Sequence, residues 1–182
     1  LLFVGNSEDY NKGVIYALRA LALLPASSGA RLYIVGGPAR ELRVAPAEAA
    51  RLGIEGRVTV AGRVSGDELV GWYRRAQVLV SPSLYEGFGL PAAEAMACGT
   101  PVAASDGGAL PEVVADGETG CIVPARDARA LADSLGELLA SPERCRAMGE
   151  AGRRRVLERF TWQETAGATE ALYREVIARP RA

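Results

Sequence analysis

Apolar residues in this chain fall into short unbroken runs, separated by stretches where they recur with helical spacing. The runs are LLFV (residues 1–4), RLYIV (31–35), RVTVA (57–61), QVLVS (77–81), PVAAS (101–105) and GCIV (120–123). They are apolar on both faces and rich in β-branched residues, as strands buried on both sides of a parallel sheet are. After Gly13, the residues Val14, Leu18, Leu21 and Ala22 share one helical face. SGDE, beginning at Ser65, is a capping box with Glu68 at its third helical position. Asp127 is placed to cap ARALADSLGELLA, Ser141-Pro142 to open another helix, and TWQE (161–164) to form a second capping box. Strand and helix alternate and then helices follow alone. The pattern predicts an α/β fold: a Rossmann-like, doubly wound parallel sheet of about six strands with right-handed crossovers, ending in several helices.

In such sheets ligands bind in the crevice beyond the carboxyl ends of the strands. The loops that follow the strands are GNSEDYNKG, GGPAR, GRVSG, PSLYEGFGLP, DGGALP and PARD, and most are rich in glycine. The fourth carries the most chemistry. Gly87 and Gly89 permit close backbone approach, and Pro91 suits the first helical position. Free N–H groups at that helix start fit a phosphate or diphosphate. Glu86 stands at the lip, and Glu94 is expected in the first turn of the helix. A carboxylate repels phosphate but accepts hydrogen bonds from vicinal hydroxyls. A diphosphate between two polyols is a nucleotide sugar. The same glutamates could equally complement the helix dipole or face water, and the residues alone leave both readings open.

Composition narrows the classes. The chain has 182 residues, a net charge of −1 and 49% hydrophobic content. It shows no basic block, no signal-peptide pattern and no run near the ~20 apolar residues of a membrane span. Nucleic acid is therefore not expected as a partner. There is no histidine, which excludes a His-based triad or His general base, and no zinc-ligand spacing. Cys98, Cys121 and Cys145 are scattered, consistent with a reduced, cytoplasmic protein. The RRR at 153–155 reads as a solvated helix face. The chain opens inside a strand, which suggests a piece of a longer protein.

One residue breaks the chain's habit. Lys12 is the single lysine among 21 basic side chains. A flexible stem with a compact ammonium serves phosphate as a point charge, where arginine presents a planar fork. A lone lysine also has to fall somewhere, and a polar loop is a natural place for it.

The segment EGFGLPAAEAMACGTPV resembles the E-x7-E segment of the group 1 glycosyltransferases, retaining enzymes of GT-B fold that use nucleotide sugars. FVG…KG, LYIVGGP, LGIEGRVTVAGRV, GGALPEVVADGETGCIVP and the late FTW follow in the family's order over nearly the whole chain. The resemblance is to the C-terminal half. It implies that residues 1–182 form one donor-binding domain, that an N-terminal acceptor domain lies outside the chain, and that a last helix over 161–178 crosses to it. It also implies that Glu86 contacts hydroxyls of the donor sugar and Glu94 the ribose. Gly87 and the amides of Phe88, Gly89 and Leu90 would lie against diphosphate and sugar. Gly5 would let the first loop approach phosphate, and Val64 would lie beside the base. Lys12 would stabilise the departing diphosphate in place of a metal, leaving Lys12 and Glu86 as the catalytic pair. GGALPE looks chiefly structural. No cofactor or metal is implied, only a donor such as a UDP-, GDP- or ADP-hexose. Membrane association at the inner face would run through the missing half.

One departure matters. Many members carry arginine directly after the first-strand glycine, where this chain has Asn6; either Arg40 or Arg63 substitutes for that charge, or phosphate binding is weaker. A non-catalytic nucleotide-sugar-binding or scaffold domain of the same fold is the rival reading. A phosphorylase or epimerase fits less well, because the lysine lies in the wrong loop and histidine is lacking.

Overall fold

The computed structural model describes residues 1–38 and 43–179; Arg40 lies outside them. Six strands, β1 (Leu2–Val4), β2 (Leu32–Val35), β3 (Val58–Gly62), β4 (Leu79–Ser81), β5 (Val102–Ser105) and β6 (Gly120–Val123), form one sheet in the order 3-2-1-4-5-6. Every pairing is parallel. All six runs become strands; the inner four bury side chains on both faces, while β3, at one edge, is only partly buried, with Thr59 exposed. Leu1, Phe3, Leu32, Ile34, Val78, Val80, Ala103, Cys121 and Val123 join one core. Leu2, Val35, Leu79, Val102 and Ala104 join the other. That alternation is the strand period read directly as two cores.

Helices cover both faces. α1 (Val14–Leu23), α2 (Val44–Leu52) and α6 (Ala128–Ala140) contribute to the first core. α3 (Gly66–Arg75), α4 (Leu90–Ala97) and α5 (Leu110–Val113) contribute to the second. α7 (Pro142–Arg159) spans the two, with Met148 in one and Val156 in the other. α8 (Trp162–Ala178) buries no residue. The capping box of α3 is complete, with Ser65 and Glu68 bonding in both directions. At α8 only half of the expected box forms: the Thr161 hydroxyl accepts from Glu164 N. This helix lies in solvent, and nothing holds the Glu164 side chain over its start.

In the RRR segment Arg153 and Arg154 are exposed, as expected of a solvated face, and Arg155 is half-buried, but two of the three also bond to the protein. Arg153 donates to Ala97 O at the end of α4, and Arg155 to Glu112 O and Val113 O at the end of α5. The long stems reach helix carboxyl ends, where unpaired carbonyls and the negative end of the dipole attract cations.

Candidate functional site

The strand order reverses between β1 and β4, and the loops that follow these two strands meet there. The β1 loop leaves through Gly5, at φ +154°, and closes in a turn of 3-10 helix (Tyr10–Lys12) that the Asp9 side chain caps. Gly13 ends it in the left-handed region at φ +68°. A Cβ there would lie 2.1 Å from Pro82 O, so only glycine lets the two loops close. Leu84 N donates to Asn11 O at 2.7 Å and ties them together.

This approach brings Lys12 to Glu86, with Nζ donating to Oε1 at 2.8 Å. The same oxygen accepts from Ser83 Oγ at 2.9 Å. The pair is mostly sheltered, with side-chain exposures of 28% for Lys12 and 11% for Glu86. Beyond Glu86 the N–H groups of Gly87, Phe88, Gly89 and Leu90 donate no hydrogen bond among the described residues. They lead into the amino end of α4, whose dipole favours an anion. A cation, a carboxylate with lone pairs to spare and a row of free amides therefore share one mouth. This arrangement can hold a phosphate group on one side and accept from hydroxyls on the other.

Glu94, Val64, Asn6 and Arg63 make no hydrogen bond to the Lys12–Glu86 pair among the described residues. Glu94 lies in the second turn of α4 rather than the first, because the helix begins at Leu90, which also puts Pro91 second rather than first. It is exposed, and its Oε2 accepts from the buried Tyr73 hydroxyl at 2.8 Å. Burial, then the Glu94 carboxylate, pushes the Tyr73 phenol up. Val64 is half-buried beside the second core. Asn6 is exposed, and its Oδ1 accepts from Glu8 N, a local turn. Arg63 is exposed two strands away from β1. Gly107 and Gly108 press on the Glu86 loop: Cβ atoms there would lie 2.3 Å from Ser83 O and Glu86 O respectively. Ala109 N bonds Glu86 O at 2.9 Å, so the GGALPE segment buttresses the loop. Phe160, from the FTW segment, meets Phe88 edge-on at 5.5 Å.

Sequence reasoning missed Ser83, Tyr73 and the role of Phe160. Ser83 could have been found from its three-residue spacing to Glu86, while Tyr73 and Phe160 reach the site from other helices and leave no local signal. A cavity of about 510 Å³, lined by Leu1, Arg31, Tyr33, Trp72 and Arg75, opens at the amino ends of the strands, the edge opposite these loops. Among the described residues no helix is long and apolar enough to cross a membrane.

Six parallel strands in this order, helices on both faces and loops converging over the switch point define a Rossmann-like α/β domain of the GT-B kind. The comparisons carry this to a family: the model described as "Glycosyl transferases group 1" matches residues 1–141, and the chain belongs to that family. It is similar to the MMP alpha-(1->4)-mannosyltransferase of Mycolicibacterium hassiacum, 44% identical over 98% of this chain and 44% of the relative. Among solved structures it is similar to the sucrose-phosphate synthase of Thermosynechococcus elongatus, with a TM-score of 0.83 and 36% identity over 97% of this chain and 45% of that one. It also matches the C-terminal domain of a glycosyl transferase group 1 family protein from Francisella tularensis, with a TM-score of 0.78 and 25% identity, covering 89% of this chain and 86% of that one. The chain thus spans less than half the length of the full-length mannosyltransferase it matches.

Proposed function

We propose that this chain is the donor domain of a retaining hexosyltransferase that takes its sugar from a nucleoside diphosphate without a catalytic metal. The observation that carries the reading is the meeting of Lys12 and Glu86 at 2.8 Å over the switch point, beneath the free amides of 87–90. Lys12 takes the diphosphate, whose charge grows as its bond to the anomeric carbon breaks, and so favours the transition state over the ground state. Glu86 accepts from hydroxyls of the hexose and Glu94 from those of the ribose. Gly5 and Asn6 border the phosphate, and Val64 the base. The acceptor hydroxyl attacks the face from which the diphosphate leaves, and its proton passes to the departing phosphate oxygen. A hexose agrees with the name of the mannosyltransferase relative.

The acceptor and its binding groups belong to the part of the protein outside this chain, so the chain alone binds donor without turnover. α8 is the element that crosses to that part, which accounts for Trp162 and Ile177 standing 86% and 83% exposed on a helix that buries nothing. We place the reaction in the cytoplasm, where nucleotide sugars are at hand.

Titration calorimetry with UDP, GDP and ADP in EDTA, repeated on Lys12→Ala, tests the proposal. Binding of one nucleotide, lost or much weakened in the variant, supports it and identifies the base. One observation favours the scaffold reading: Asn6 stands where the family usually has arginine, and its side chain is engaged in a local turn. A folded chain that binds none of the three would put that reading first.

A further inference from the structure

Tyr73 lies on α3, far in sequence from either glutamate. It is 1% exposed and heads the fully buried side chains of the molecule by size. Its ring lies in the second core, yet its hydroxyl leaves that core and donates to Oε2 of Glu94, an exposed residue, at 2.8 Å. The main chain beneath is fixed as well. Tyr73 O accepts from Thr100 Oγ1 at 2.7 Å and from Ala76 N at 3.1 Å, where α3 ends. The hydroxyl is thus held at both ends of its residue and aimed at a carboxylate that solvent would otherwise leave free to turn.

An exposed glutamate samples many rotamers, and ordering it on binding costs affinity. A carboxylate has about four lone-pair sites, of which the phenol occupies one. The other oxygen, Oε1, receives no donor among the described residues. We propose that Tyr73 is the positioning residue for ribose recognition: its buried hydroxyl holds Glu94 in the orientation that receives the two vicinal hydroxyls. This rests on the donor-domain reading and assigns α3 a part in it. Burial pushes the phenol up, so the hydroxyl stays protonated and donates throughout the physiological range.

The test uses this chain with UDP, GDP and ADP, each beside its 2′,3′-dideoxy analogue. For the nucleotide that binds, Tyr73→Phe should weaken the ribose form about three- to tenfold, the value of ordering one rotamer-rich side chain. It should leave the dideoxy form unchanged. In a Glu94→Ala background the same substitution should have no effect on either form, because the two residues act as one unit. A merely structural tyrosine would lower the melting temperature and move both ligands together, and that outcome overturns the proposal. Should Tyr73→Phe fail to fold, 3-fluorotyrosine placed at position 73 keeps the ring and strengthens the donor. It must then change the ratio of the two affinities, and an unchanged ratio overturns the proposal. A wild-type chain that binds no nucleotide overturns the donor reading and this inference with it; one that binds without distinguishing the two forms overturns the ribose contact of Glu94 and this inference, and leaves the phosphate site standing. A wild-type chain that distinguishes them while Tyr73→Phe does so equally overturns this inference alone.

Discussion

Lys12→Ala and Glu86→Gln should move nucleotide affinity in different directions, although the two side chains form one ion pair. In the free chain the ammonium donates to Glu86 Oε1 at 2.8 Å, and Ser83 Oγ donates to the same atom. An ammonium has three donors, so it can turn one toward a diphosphate while keeping its carboxylate. Removing it takes away a charge-assisted hydrogen bond of about 1.5–3 kcal/mol, which is about ten- to a hundredfold in affinity for the nucleoside diphosphate that binds. It also leaves the Glu86 charge facing the phosphate with only the serine to offset it. Glu86→Gln does the opposite. Lys12 stays, a like charge disappears from the mouth, and a nucleoside diphosphate without sugar should bind as tightly as before or up to about fivefold more tightly, the size of a screened charge pair. The nucleotide sugar should gain nothing or lose, because the amide offers hydroxyls a weaker acceptor. The assay is titration calorimetry of both variants with whichever of UDP, GDP and ADP the wild type binds, and with the matching nucleotide hexose, at low and high salt, where the Lys12 effect should shrink as charges are screened. Equal loss of nucleotide affinity in the two variants would refute the reasoning, since it would make the pair a structural brace. So would a Lys12→Ala variant that binds that nucleotide as the wild type does.

Two further substitutions probe what holds the site in place, and a third probes acid stability. Gly107→Ala drives a Cβ to 2.3 Å from Ser83 O and 2.9 Å from the Leu84 carbonyl, both main chain. It should cost about 1–3 kcal/mol in chemical denaturation, and wild-type stability would contradict the buttress. Phe160→Leu removes the edge-on contact with Phe88 and should cost about 1 kcal/mol while weakening nucleotide binding, both measured on one preparation. Glu48→Gln addresses acid stability away from the site. Hydrogen bonds from Arg51, and then Arg19, hold the Glu48 carboxyl at about 2, below the ordinary 4.5. A depressed carboxyl contributes in full above its unfolded value and loses that contribution as pH falls. The variant should therefore melt lower than wild type at neutral pH and converge with it between pH 4.5 and about 2. A constant gap over that window would count against the pairing.

The fold was legible because burial on both faces makes the inner strands continuous apolar runs, and all six runs became strands, the partly exposed edge strand β3 included. The helix starts were legible where one cap suffices, as at Asp127 and Ser141, and at Ser65, where the whole box forms, but only half legible at Thr161, where Glu164 does not bond back. Lys12 and Glu86 could each be marked out as candidates from the sequence, one as the lone lysine and the other by its glycines. Their bond could not be read, since it joins residues 74 positions apart. It exists because the strand order reverses between β1 and β4 and because Gly13 lets the loops touch.

The supporting residues were the least legible, for a physical reason. The two side chains at the centre of the candidate site, Lys12 and Glu86, are charges in loops, and they stand out against an apolar framework. A side chain that aims another has only to be buried and correctly placed. Tyr73 looks like any core aromatic on an amphipathic helix, and Phe160 like any residue at a helix end. What distinguishes them is the partner each meets across the fold, Glu94 for one and Phe88 for the other. The RRR segment carries the same lesson in reverse. Three charges together look like a solvated face, yet two of them close the carboxyl ends of α4 and α5. Arg153 meets the carboxyl end of the helix whose amino end leads from the Glu86 loop, a contact that no local pattern announces.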